Sequence, residues 1–360
     1  MKLYSLCSKI DENKLNIFFF NAFSNEIYKY IINKNKIEYV CSFNEEKISG
    51  EILYENMYLY KNKIIMIPEN AYKIAILSSD GNKKYIKWNR QLIFKSFKFE
   101  NIIWCILKDG VIVSFNLDNY EIIEHSQKSR KLKSLTNGIS IQSFQLNIIK
   151  GNIILCQNKK IIEFNIITER SEVYNVPIDK KIYNCMYDGR DYWIQMYSNL
   201  DIIKLDRKSG NIEYFVHDDI KWGKLNNIIA YSDVKQIEND IFLTGYYTEN
   251  VYKIDINSRK IKKIPEFPNE YNVRNTIGFG PLFSGMHYVN EQIIFIPFRS
   301  DMLLKYDMHN NKLDKLIFQD KNNNRVNDRI ITMSMDLLKE SFFDLNEFLN
   351  YVCNKRTVNE

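Results

Sequence analysis

The sequence predicts an all-β protein made by repeating one four-stranded unit. Three observations carry that prediction. One hairpin pattern recurs seven times along the 360 residues. Aromatic residues make up 14% of the chain, with 24 Tyr and 22 Phe, which favours strands. In five of the seven copies the second strand ends in Asn or Asp, namely Asn116, Asn165, Asp206, Asp255 and Asp307. Such a residue bonds the backbone two positions on and starts a turn.

The clearest copy is IIFIPFRSDMLLKYD at residues 293–307. It aligns without a gap on IFFFNAFSNEIYKYI, IIMIPENAYKIAILS, IIWCILKDGVIVSFN, YWIQMYSNLDIIKLD and IFLTGYYTENVYKID. A version two residues shorter, IILCQNKKIIEFN, completes the set. The copies start at residues 17, 64, 102, 153, 192, 241 and 293. The first strand of each hairpin is continuously apolar, as a strand buried on both faces must be. A strand-like segment precedes most copies and a shorter one follows. The unit is therefore inner strand, hairpin, outer strand. Four antiparallel strands every 40–50 residues predict a seven-bladed β-propeller with four-stranded blades. Two β-sandwiches would also give short, regularly spaced strands, but they do not require a gap-free register in six of seven copies.

The pattern resembles the kelch, WD40 and PQQ-type propeller superfamily across roughly residues 2–320. The Gly-His and Trp-Asp pairs of WD40 repeats and the double glycine of kelch repeats are absent. Residues 1–340 are expected to form the ring, and 341–360 a short helix and tail. In DLNEFLNYV, Asp344 and Glu347 form a capping box, and Leu345, Phe348, Leu349 and Val352 share one face. No spare strand is evident to close the ring.

The net charge of +6 is mild, so nucleic acid is not an expected partner. The one basic cluster, Lys128, Arg130, Lys131 and Lys133, reads as a solvated loop. The six cysteines lack metal-ligand spacing and sit mostly in apolar runs, as small buried hydrophobes do. No signal peptide and no apolar run of spanning length occur, so a reducing cytoplasm is the expected compartment. No metal or other cofactor is expected.

Three long segments, at 125–138, 216–227 and 266–284, join an outer strand to the next inner strand. They should emerge on the face that carries the hairpin turns. Length added on one face marks a binding face. That face is expected to present Phe23, Tyr72, Tyr197, Tyr246, Tyr247, Phe298, Arg299 and Asp301, with Trp222 and Arg274 from the long loops. Tyr and Arg dominate binding hot spots, so a protein, peptide or glycan partner is expected there. The loop holding Gly278, Gly280 and Gly285 leads into a strand rather than a helix, which argues against a phosphate cradle.

Chemistry has a narrower basis. Some seven-bladed propellers are lyases that use a channel histidine and a glutamate-bound metal. By that resemblance His287, on a predicted inner strand and near Arg299, is the candidate acid or base. His217, with Asp218 and Asp219, is a second. The leading expectation is a binding propeller without chemistry, and the alternative is a lyase or hydrolase acting in the channel.

Overall fold

The structure is a computed structural model. It describes residues 3–11, 13–22, 24–43, 52–89, 92–137, 145–149, 151–197, 200–217, 231–245, 251–264, 283–300 and 302–317. The expected C-terminal helix lies outside the described residues.

Each of the seven sequence copies is the central hairpin of an antiparallel four-strand meander. The template itself is Gln292–Pro297 followed by Met302–Asp307. The expected side-chain logic holds in atomic detail. Asn116 Oδ1 accepts the backbone N–H of Asp118 at 2.8 Å, and Asp206 Oδ1 accepts those of Lys208 and Ser209 at 2.8 Å. Asn165, Asp255 and Asp307 do the same, with bonds of 2.8 to 3.1 Å. The first hairpin strands are buried through their length, as in Ile102–Leu107, whereas outer strands such as Lys83–Lys87 are partly or fully exposed.

The expectation of seven separate blades is corrected. Five meanders stand as separate sheets, whereas the fifth and sixth join in one eight-stranded sheet. Their outer strands, Ile212–His217 and Lys260–Lys263, pair in parallel through Val216 with Lys260 and His217 with Ile261. That pairing satisfies backbone groups that an outer edge otherwise offers to solvent.

Seven buried clusters lie between consecutive meanders, and the last joins the seventh to the first. Ile17, Phe19 and Tyr30 pack there against Ile294, Ile296 and Leu303. The inner strand Leu3–Asp11 also pairs with a two-residue strand, Arg299–Ser300, set inside the last hairpin. Closure thus uses the turn of the seventh copy, which no local pattern announces.

The basic cluster is a correction as well. Residues Ser126–Leu135 form a helix, α1, not a loop. Leu132 is fully buried beneath it. The Ser129 hydroxyl accepts the Ile112 N–H at 2.9 Å, and Lys128 pairs with Glu169 at 2.8 Å. The five described cysteines are buried and form no disulfide with one another. Cys156 and Cys185 bring their sulfurs to 3.3 Å as thiols. Among the described residues, no helix is long and apolar enough to cross a membrane.

Candidate functional site

Polar bridges between neighbouring inner strands define the interior. The Tyr58 hydroxyl meets Ser96 Oγ at 2.8 Å, Lys9 sits 5.4 Å above the Tyr58 ring, and Lys235 bonds the Met286 carbonyl. At the closure, His287 Nε2 lies 2.8 Å from Ser8 Oγ. Both residues are buried. Burial first, and then the positive charge of Lys235 and Lys9, push the His287 pKa down to about 3. The ring is neutral at neutral pH. Gly285 makes this contact possible, because a Cβ there would sit 1.9 Å from Ser8 Oγ and 3.0 Å from His287 Nε2.

The closure gathers three sequence candidates. His287 touches Ser8, the Phe298 carbonyl accepts the Ser5 N–H at 2.9 Å, and Arg299 pairs with Tyr4 through the backbone. All three brace the N-terminal strand. His217 is placed elsewhere, on an outer strand with its ring edge-on to Tyr252 at 4.7 Å. Tyr197 leaves the hairpin turn half-buried, with its ring T-shaped against Tyr183 at 5.2 Å. Tyr72 stands 69% exposed at an equivalent turn. Tyr246, Tyr247, Arg274, Asp301 and Trp222 lie outside the described residues, as do the Arg299 side chain and most of the second and third long loops.

On the same face sits a group the sequence did not suggest. Glu69, at the turn of the second hairpin, hydrogen-bonds Glu55 at the start of its inner strand and lies 3.7 Å from Lys108. Burial and the Glu55 charge raise the Glu69 pKa to about 7, against the opposing pull of Lys108. No spacing connects residues 55, 69 and 108; only the fold does.

The opposite face carries a second feature. A groove of about 990 Å³ opens between the first and second meanders, where the turns after their inner strands meet the turn at Ser78–Gly81. Among the described residues, Lys14, Lys29, Lys61, Lys63 and Lys98 line it, with Asp11 as the one acidic side chain. Tyr39 and Tyr60 add aromatic walls. Sequence reading placed no site here because the lysines are spread over 85 positions. Among the described residues, no group of three His, Cys, Asp or Glu could hold a metal ion.

No family profile matches the chain, and no curated protein matches it. Solved structures do. Virginiamycin B lyase from Staphylococcus aureus aligns with a TM-score of 0.53 at 12% identity, covering 89% of this chain and 99% of the lyase. Hsv2 from Kluyveromyces lactis aligns at 0.51 and 8% identity, covering 89% and 98%. The β-propeller domain of Cps50 (Swd1) from Myceliophteria thermophila aligns at 0.50 and 8% identity, covering 88% and 98%. Likeness at such identity carries the fold and nothing finer. The chain is a β-propeller of four-stranded antiparallel meanders.

Proposed function

We propose that the protein is a binding propeller that performs no chemistry and recognises a protein or peptide partner on the face of the hairpin turns and long loops. The observation that carries this reading is the state of His287. A general base works best with a pKa near the operating pH. A pKa of about 3 leaves the imidazole a very weak base, and among the described residues its hydrogen-bonded neighbour is a buried serine that braces the closure. The residue that most favours the lyase or hydrolase reading is thereby used structurally. The exposed Tyr72 and the half-buried Tyr197 support an aromatic recognition face, to which the sequence adds Tyr246 and Tyr247. We further propose that residues 1–340 act as one ring and 341–360 as an appended helix, in a compartment that keeps the thiols reduced.

The test is crosslinking capture of partners by the tagged full chain, followed by identification. Tyr72→Ala, Tyr197→Ala, Tyr246→Ala and Tyr247→Ala together should remove the captured protein, while His287→Asn at the closure leaves it in place. Capture unchanged by the four aromatic substitutions contradicts the assignment of the face. Turnover of a captured small molecule that is lost in His287→Asn contradicts the absence of chemistry.

A further inference from the structure

We propose that the groove between the first and second meanders is a second binding site, on the face opposite the proposed partner surface, and that it takes a small polyphosphate. The groove is large enough for one, since ligand sites run from roughly 300 to 1,000 Å³ and this one is about 990 Å³. Among the described residues its lining is strongly cationic, with five lysines against one aspartate. Like charges gathered in one concavity repel each other and focus a positive potential into it.

How the ammonium groups are held separates this groove from ordinary surface ion pairing. Lys14 donates to Asn62 Oδ1 at 2.8 Å, Lys63 to the Tyr120 hydroxyl at 2.7 Å, and Lys98 to the Glu100 carbonyl at 3.2 Å. These acceptors are neutral. They fix the positions of the ammonium groups without cancelling their charge. Asp11 reaches Lys14 only at 3.9 Å. The remaining two lysines have carboxylate partners outside the lining. Lys61 meets Asp118 at 2.7 Å, and Lys29 meets Glu38, a carboxylate it shares with Lys36. Charge therefore remains for a ligand to neutralise.

Lysine is a compact, multiply donating point charge, which suits tetrahedral phosphate oxygens from several directions. The lysines come from the turn at Lys14, from the strand Glu26–Ile31, from the turn at Lys61, from the start of the strand Lys63–Pro68, and from the strand Ile93–Phe99. They surround a volume rather than mark a stripe, so a compact anion fits better than an extended strand of nucleic acid. Ser78 and Ser79 add hydroxyls at the rim, and Tyr39 is 55% exposed at the wall, where a planar ring could stack. The shared chemistry is a chain of phosphates, either free or carried by a nucleotide.

Isothermal titration of the full chain with sodium tripolyphosphate, and separately with ATP, tests the site. Saturable one-to-one binding is expected. It should weaken at least about tenfold, or ~1.4 kcal/mol, in the triple variant Lys14→Gln, Lys63→Gln, Lys98→Gln. A control variant away from the groove, Lys208→Gln with Lys312→Gln, should bind as the parent does. Tighter binding of ATP that Tyr39→Ala reduces to the tripolyphosphate level assigns a nucleotide; equal binding assigns the phosphate chain alone. Both results support the site. No saturable heat up to about 1 mM ligand overturns it. So does equal weakening in the control, or tight binding of a single-stranded oligonucleotide that neither small ligand displaces. The four aromatic substitutions on the opposite face should leave tripolyphosphate binding unchanged, so the groove and the partner surface stand or fall separately.

Discussion

The first meander has two neighbours and treats them differently. Against the seventh it closes a buried seam: Ser5, Ser8 and His287 are buried, and Ile17 and Phe19 pack on Ile294 and Ile296. Against the second it buries Phe20 with Tyr54 and Met66 deep in the interface, yet leaves a cationic groove above them on one face. The same inner strand, Leu3–Asp11, serves both sides. At the seam its buried serines are matched, Ser5 Oγ accepting from Ser284 Oγ at 2.9 Å and Ser8 Oγ lying 2.8 Å from His287 Nε2. At the groove, Lys14, Lys63 and Lys98 are positioned by neutral acceptors and keep their charge, whereas Lys29 and Lys61 meet carboxylates. Polar residues used for assembly are matched and enclosed, whereas the groove lysines are oriented and only partly compensated.

Substitutions can break or sharpen this contrast. The largest effect is expected at another enclosed junction, between the fourth and fifth meanders. Arg207 Nη2 lies 2.8 Å from both Glu163 and Glu172, and Glu163 is buried. Arg207→Ala leaves the Glu163 carboxylate buried with its cation removed, at a cost of ~3–5 kcal/mol in urea unfolding. A loss under 1 kcal/mol, the size of an exposed pair, would show that this junction is not enclosed in solution.

Gly285→Ala comes next. The added Cβ meets Ser8 Oγ at 1.9 Å, so the seam must open or the strand must shift, costing about 1–3 kcal/mol. Melting that matches the parent would show that the Ser8–His287 contact is dispensable.

The third effect depends on pH. Glu69 has a folded pKa of about 7, above the ordinary 4.5. The native state therefore keeps this proton longer than the unfolded chain does, and stability falls as pH rises from about 4.5 to about 7. Glu69→Gln should raise the melting temperature above that window and change it little below. An equal shift at both ends would remove the shared proton from the account.

The smallest effect is expected in the groove. Lys98→Gln should change stability by no more than about 0.5 kcal/mol, because its partner is a carbonyl that water replaces. A large loss would make the groove lysines structural, like Ser8 and His287 at the seam.

The repeat was legible because its signals are local. An apolar strand, a polar turn and a terminal Asx fall within fifteen residues, and all five Asx turns appear as read. Helix α1 was not legible, since a short charged segment shows its one deeply buried apolar residue, Leu132, only when packed. The merged sheet was hidden for a different reason. Its parallel pairing joins Val216 to Lys260, and backbone pairing between distant outer strands leaves no mark on side-chain pattern. Glu163 did leave a signal. The aligned positions in five other copies are Lys29, Ser114, Lys204, Lys253 and Lys305, so a lone acid in a buried strand implied a cation nearby, and Arg207 supplies it. The turn at Phe298 and Arg299 looked like a site because it offers an aromatic ring and an arginine on the hairpin-turn face, and its backbone is used in closing the ring.

The most direct test of the central claim is an NMR pH titration of the His287 imidazole in the folded protein. The account predicts a ring that stays neutral on acidification until about pH 3 or until the protein unfolds. A reversible titration near the ordinary 6.5 in the native state would mean that the ring is solvated and able to exchange protons. That result would contradict the structural role assigned to it and return the channel to consideration as a reactive centre.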